Sequence, residues 1–121
     1  MTTPTPTELI TEMFRLSQAL DKGLEYLLEM SREWAEAEND YRQAKAVTFL
    51  AADAATVAAR HMISDERCEK QRQRAYMARG QKEAAREAVR ARRTQISALQ
   101  TALNVLKEEF GFGRTGPEYQ P

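Results

Sequence analysis

Proline is missing from the interior of this 121-residue chain: Pro4, Pro6, Pro117 and Pro121 all lie near the ends. No proline ring therefore interrupts backbone hydrogen bonding between residues 7 and 116. Glycine is nearly as scarce, and only Gly23 and Gly80 stand away from the ends. An interior without these breakers is biased to long helices. The single cysteine, Cys68, excludes an internal disulfide and a cysteine metal cluster. It reads as a small helix residue packed inside, in keeping with a reducing cytosol. The single histidine, His61, has only Asp65 one turn away as a metal-ligand neighbour, too few donors for a site. No glycine-rich phosphate loop, nucleophile elbow or His-Glu-x-x-His pair is present, which points away from an enzyme and from any cofactor. There is no run of about 20 apolar residues and no basic-then-apolar leader. The expected setting is the cytoplasm, of the host cell if the gene is phage-borne, with no membrane partner.

Charge and helix periodicity are what the chain has in quantity. Charged residues make up 30% of it and the mean hydropathy is −0.65, which suits a thin helical structure with one buried stripe per helix. Residues 1–6 read as a disordered lead. Thr5, Pro6 and Glu8 have the spacing of a capped helix start with proline at the first helical position. The first helix is expected over about 7–52, with a turn at about 53–56, where Asp53 and Thr56 are plausible N-caps. A helix or kinked helices follow to about 110, with a second break signalled at Ser64-Asp65-Glu66. Gly111 ends the helix, and 111–121 reads as a flexible tail.

Apolar residues recur in heptads. In the first helix Leu20, Leu27, Trp34, Tyr41 and Thr48 form one row, Met30, Ala37, Ala44 and Ala51 another, and Leu9, Met13 and Leu16 continue the seam. In the last helix Ala85, Val89, Arg92, Ile96, Leu99, Leu103, Leu106 and Phe110 alternate steps of four and three. The same phase runs back through Lys82, Ala78, Ala75, Gln71 and Cys68. The fold class expected is all-α: an elongated antiparallel helical hairpin or coiled coil that forms a homo-oligomer. A hinge near residue 54 sets the apolar end Val89–Phe110 against Leu9–Leu20. Those two ends either close each other or pair with another subunit. Trp34 is a candidate anchor for such an interface.

The net charge is zero, yet its distribution is uneven. Residues 7–53 hold ten acids and five bases, whereas 60–93 hold eleven bases, nine of them arginine, and five acids. Arg72, Arg79, Arg86 and Arg93 repeat every seven residues and so form one stripe, with Lys82 and Arg90 beside it. Arginine grips phosphate with two donors and stacks on rings. Aromatic residues near such a groove help to hold single strands by stacking; Tyr76 lies in the stripe, Trp34 and Tyr41 on the facing helix. Three readings stay open. The arginines pair with acids of the first helix such as Glu33, Glu36, Glu38 and Asp40, they meet nucleic-acid phosphate, or they face an acidic protein or membrane surface.

The layout resembles a known family. A first helix ends in an aromatic-basic segment, Trp34 to Lys45 with Tyr41-Arg42-Gln43-Ala44-Lys45. After a short connection, a long charged helix runs from Asp65-Glu66-Arg67-Cys68-Glu69-Lys70-Gln71 through Tyr76 and Lys82. It leads into Val89-Arg90-Ala91-Arg92-Arg93-Thr94-Gln95-Ile96-Ser97-Ala98-Leu99. Over about residues 25–106 this is similar to the small recombination mediators of bacteriophages, the UvsY-like family. The resemblance implies a non-enzymatic, oligomeric protein that binds single-stranded DNA and assists loading of a recombinase where a single-strand-binding protein covers the DNA. It further implies that Arg42, Lys45, Arg79, Lys82, Arg86, Arg90, Arg92 and Arg93 contact DNA, and that Leu99, Leu103, Leu106 and Phe110 carry assembly. The alternative expectation is a coiled-coil scaffold or adaptor, phage or bacterial, without nucleic-acid binding.

Overall fold

The computed structural model describes residues 3–110, all of whose regular structure is helical: α1 (Pro6–Ala51), α2 (Val57–Arg67) and α3 (Glu69–Phe110). The tail 111–121, the first two residues and the Phe110 side chain lie outside the described residues, and so do the expectations placed on them. At the start of α1, Thr5 Oγ1 accepts the Glu8 N–H at 3.1 Å. Pro6 takes the first helical position, where its missing N–H goes unneeded. Thr5 and Pro6 therefore belong to the helix start and not to a disordered lead.

Burial follows the heptad phase in both long helices. On α1, Leu9, Met13, Leu16, Leu20, Gly23, Leu27, Met30, Trp34, Ala37, Tyr41, Ala44 and Thr48 are buried or half-buried. From Cys68 into α3 the covered positions are Gln71, Ala75, Ala78, Lys82, Ala85, Val89, Arg92, Ile96, Leu99, Leu103 and Leu106. Steps of four and three average 3.5 residues, close to the helical 3.6, so each row stays on one face.

The described residues divide into two compact units: residues 3–24 with 88–110, and residues 25–87. In the first, Leu9, Leu103 and Leu106 form a buried cluster, with Met13 and Leu99 packed against it. Each buried leucine contributes about 1.5–3 kcal/mol relative to an exposed one. Val89 is buried as well, and its Cγ2 lies 3.5 Å from where a Cβ would stand on Gly23. Val89, Leu103 and Leu106, read from the sequence as assembly residues, are thus covered within the protomer. Of the two arrangements open from sequence, the ends close each other within one chain, because burying leucine against leucine in the same chain carries no cost of bringing two molecules together. Ile96 and Leu99 are half-buried in the same face.

The second unit has a thinner core of small residues, among them Ala37, Ala52, Cys68, Ala75 and Ala85, with Met30 the largest buried side chain. Its pairing is antiparallel. Thr48 meets Ser64 and Cys68, Asp40 meets Arg74, and Trp34 meets Lys82, one number falling as the other rises. The turn is tied from both sides. Thr56 has extended backbone and its hydroxyl caps α2 by accepting the Ala59 N–H at 3.1 Å. Arg60 Nε donates to the Ala54 carbonyl at 3.2 Å, satisfying a loop acceptor.

The second break falls at Cys68 and not at Ser64–Glu66. Ser64 is unavailable as a cap because it is fully buried: its hydroxyl donates to the Lys45 carbonyl at 2.9 Å and meets Thr48 Oγ1 at 2.8 Å. Thr48 Oγ1 also lies 3.2 Å from Cys68 Sγ. The N–H of Cys68 still donates to the Ser64 carbonyl and its own carbonyl accepts from the Arg72 N–H, so the residue that departs from helical geometry stays bonded on both sides. Among the described residues, no helix is long and apolar enough to cross a membrane.

Candidate nucleic-acid interface

The arginine row is set by helix geometry. Seven residues of α-helix advance about 10.5 Å and return to within about 20° of the same direction. Arg72, Arg79 and Arg86 therefore share one face of α3 in the second unit, and all three are exposed. Tyr76 stands between Arg72 and Arg79 on that face, 79% exposed.

The cations differ in what already holds them. Arg72 makes a forked contact with Glu69, Nε to Oε2 at 3.0 Å and Nη2 to Oε1 at 2.9 Å. That hydrogen bonding, above all, raises Arg72 beyond its ordinary pKa, and nearby Tyr41 and Asp65 add to the effect. Arg86 lies 3.8 Å from Glu83, a loose contact. Among the described residues, Arg79 has no hydrogen-bond or ion-pair partner. An exposed guanidinium in that state is free to meet an outside anion.

Two of the α1 candidates lie in the same unit. Arg42 is exposed and pairs with Glu38 on its own helix at 3.2 Å. Lys45 is half-buried, with Nζ 3.3 Å from Asp65 Oδ1 and 6.0 Å from the Tyr41 ring centre. Oδ1 has no hydrogen bond of good geometry, so the contact is ionic more than directional. Asp65, with Tyr41 behind it, raises Lys45 above its ordinary pKa.

Lys82 is a correction. Read as a phosphate contact, it sits in the buried phase of α3 with a side chain only 12% exposed. Its ammonium lies 4.0 Å from the centre of the Trp34 ring and 3.5 Å from Glu83 Oε1. The indole face and the carboxylate replace water around the charge, so Lys82 and Trp34 complete each other inside the protomer. This also removes the indole face as an open platform.

The remaining candidates belong to the first unit. Arg90 and Arg93 are exposed, and Arg92 is half-buried in the seam and donates to Gln95 Oε1 at 3.3 Å. Of the acids offered as cross-helix partners, Asp40 takes Arg74 at 2.8 Å. The Glu69 clamp on Arg72 is an i, i+3 helix pair, a spacing visible in the sequence although nothing there marks it as the contact that holds this arginine. No protein-family model matches the chain, and neither a curated protein nor a solved structure matches it.

Proposed function

We propose that this chain is a non-enzymatic nucleic-acid-binding accessory protein, a phage-type recombination mediator that binds single-stranded DNA as a cytoplasmic homo-oligomeric coiled coil and assists recombinase loading. The observation that carries the reading is Arg79, exposed and unpaired among the described residues, beside the exposed ring of Tyr76. Its neighbours Arg72 and Arg86 lie one heptad away on the same face. A row of guanidiniums binds phosphates by releasing condensed counterions, so affinity must fall as salt rises. With Arg72 held by Glu69, two phosphates neutralised by Arg79 and Arg86 on a single strand give an expected log–log slope of about −1.4. Fluorescence anisotropy with a labelled oligonucleotide tests this. Absence of binding by the wild-type chain at low salt sinks the proposal, and an Arg79→Glu/Arg86→Glu variant that binds equally well removes the row from it.

A second reading has its own support. Arg72, Arg74 and Lys45 are answered by Glu69, Asp40 and Asp65 of the same chain. That self-satisfaction is what a coiled-coil scaffold or adaptor without nucleic acid needs. It predicts partner binding that is insensitive to salt and no affinity for the oligonucleotide.

A further inference from the structure

Trp34, Tyr41 and Tyr76 lie near basic residues of the second unit, and the first two are half-buried with a lysine ammonium beside the ring. Trp34 is covered by the Lys82 ammonium, and half-buried Tyr41 sits under Lys45. Tyr76 remains, more exposed than any other large apolar side chain among the described residues. It lies four residues after Arg72 and three before Arg79, so the ring and both guanidiniums project from one face. Its surroundings are ordered. The Glu69 carboxylate holds Arg72 in a fork and accepts Gln73 Nε2 at 3.1 Å. The ring borders a notch of about 470 Å³ lined by Glu69, Arg72, Gln73, Tyr76 and Met77. That volume lies within the range of small-ligand pockets. Its lining combines a flat ring, a polarisable thioether, an amide and a guanidinium whose charge the Glu69 carboxylate already answers, so what it offers a heteroaromatic plane is a stacking face and a polar edge more than net positive charge.

We propose that the Tyr76 notch is a subsite for one unpaired nucleobase, which stacks on the phenol ring while a flanking phosphate lies on Arg79 and Arg72, held by Glu69, borders the base. The proposal rests on the nucleic-acid reading and adds to it the source of strand preference. Every base in a duplex has its faces covered by its neighbours, and only an unpaired base can offer a face to Tyr76 without the cost of unstacking. The arginines alone do not distinguish single from double strands.

The test uses the full chain with labelled oligothymidylate and a labelled duplex of equal length, titrated at several salt concentrations. Tyr76→Ala is expected to weaken oligothymidylate binding about tenfold and duplex binding less than twofold, with an unchanged salt slope because no cation is lost. Tyr76→Trp is expected to bind the single strand at least as tightly as wild type. Arg79→Glu is expected to weaken both ligands and to flatten the slope by about one phosphate. The helical circular dichroism of Tyr76→Ala serves as the control, and the exposed site predicts no change. If wild type binds oligothymidylate and Tyr76→Ala binds it equally, the subsite is overturned while the nucleic-acid reading stands. An equal loss on both ligands also overturns it. So does a change in sedimentation with no change in binding, which would assign the ring to a contact between copies. If wild type binds neither ligand, the nucleic-acid reading itself fails.

Discussion

Ser64 shows how much one side chain decides. Its hydroxyl, with no accessible surface, joins α2 to α1 through the Lys45 carbonyl and Thr48. Ser64→Ala removes the donor and leaves Thr48 with fewer partners, so urea denaturation is expected to show a loss of about 1–2 kcal/mol. Nearby, Lys45 supplies a pH signature. Its folded pKa is raised above 10.5, so its contribution to stability is complete below that value and is lost as pH rises through the raised folded value. The pair is solvent-exposed by a third to a half, which limits it to under about 1 kcal/mol. Asp65→Asn is expected to lower the thermal midpoint at neutral pH. The gap from wild type should close in the alkaline range above Lys45's raised pKa; a gap that persists there would show that Asp65 acts by something other than this ion pair.

At the scale of the element, the glycines in α1 and α3 mark where each helix has room. Gly80 lies on an exposed turn of α3, and a Cβ added there meets nothing within 4 Å. Gly80→Ala is expected to stabilise the protein by up to about 1 kcal/mol through helix propensity alone, seen as a higher midpoint in thermal melts. The Cβ of Gly23→Ala would touch Val89 Cγ2 at ordinary van der Waals distance, so the same sign is expected there. A destabilised Gly23→Ala would mean that the α1–α3 contact at Val89 is tighter than described. Helix α2, only eleven residues long, is too short to hold by propensity. Its stability comes from the Thr56 cap and from Ser64 and Cys68 packed on Thr48.

For the whole molecule, two kinds of apolar surface must be separated. Leu103 is buried with Leu9 and Leu106, so Leu103→Ala is expected to cost about 2–5 kcal/mol of stability whether or not the protein self-associates. Phe14 is 68% exposed, and Ile10 one turn before it is exposed too. If the proposed homo-oligomer forms, these are side chains left for it. Phe14→Glu is then expected to shift sedimentation towards monomer with little change in melting of the monomer, whereas an unchanged distribution would place assembly elsewhere. Charge also acts at this scale. The net charge of the whole chain is zero, so salt dependence of binding reports the local arginine row and not a bulk excess of one sign.

Local pattern alone carried a large part of this protein. Thr5 before Pro6, the lack of interior proline, and apolar steps of four and three from Leu9 to Thr48 and from Cys68 to Leu106 determine helices and the phase of their covered face. Those signals reside in residues three, four or seven apart, which share a helix face whatever lies opposite. The same arithmetic put Arg72, Arg79 and Arg86 in one exposed row. It could not say which cations were already answered. Lys82 shares the buried phase with its neighbours, and only the approach of Trp34 from a helix 48 residues away in sequence turns it from a phosphate candidate into a packed residue. Likewise, Ser64 reads as a helix cap until the Lys45 carbonyl claims its hydroxyl. The periodicity of Leu103 and Leu106 likewise does not name Leu9 as the residue that packs on them. In each case the deciding partner is distant in sequence, so no periodicity records it, and the competition between water, another chain and the same chain is resolved only when tertiary packing brings that partner within contact.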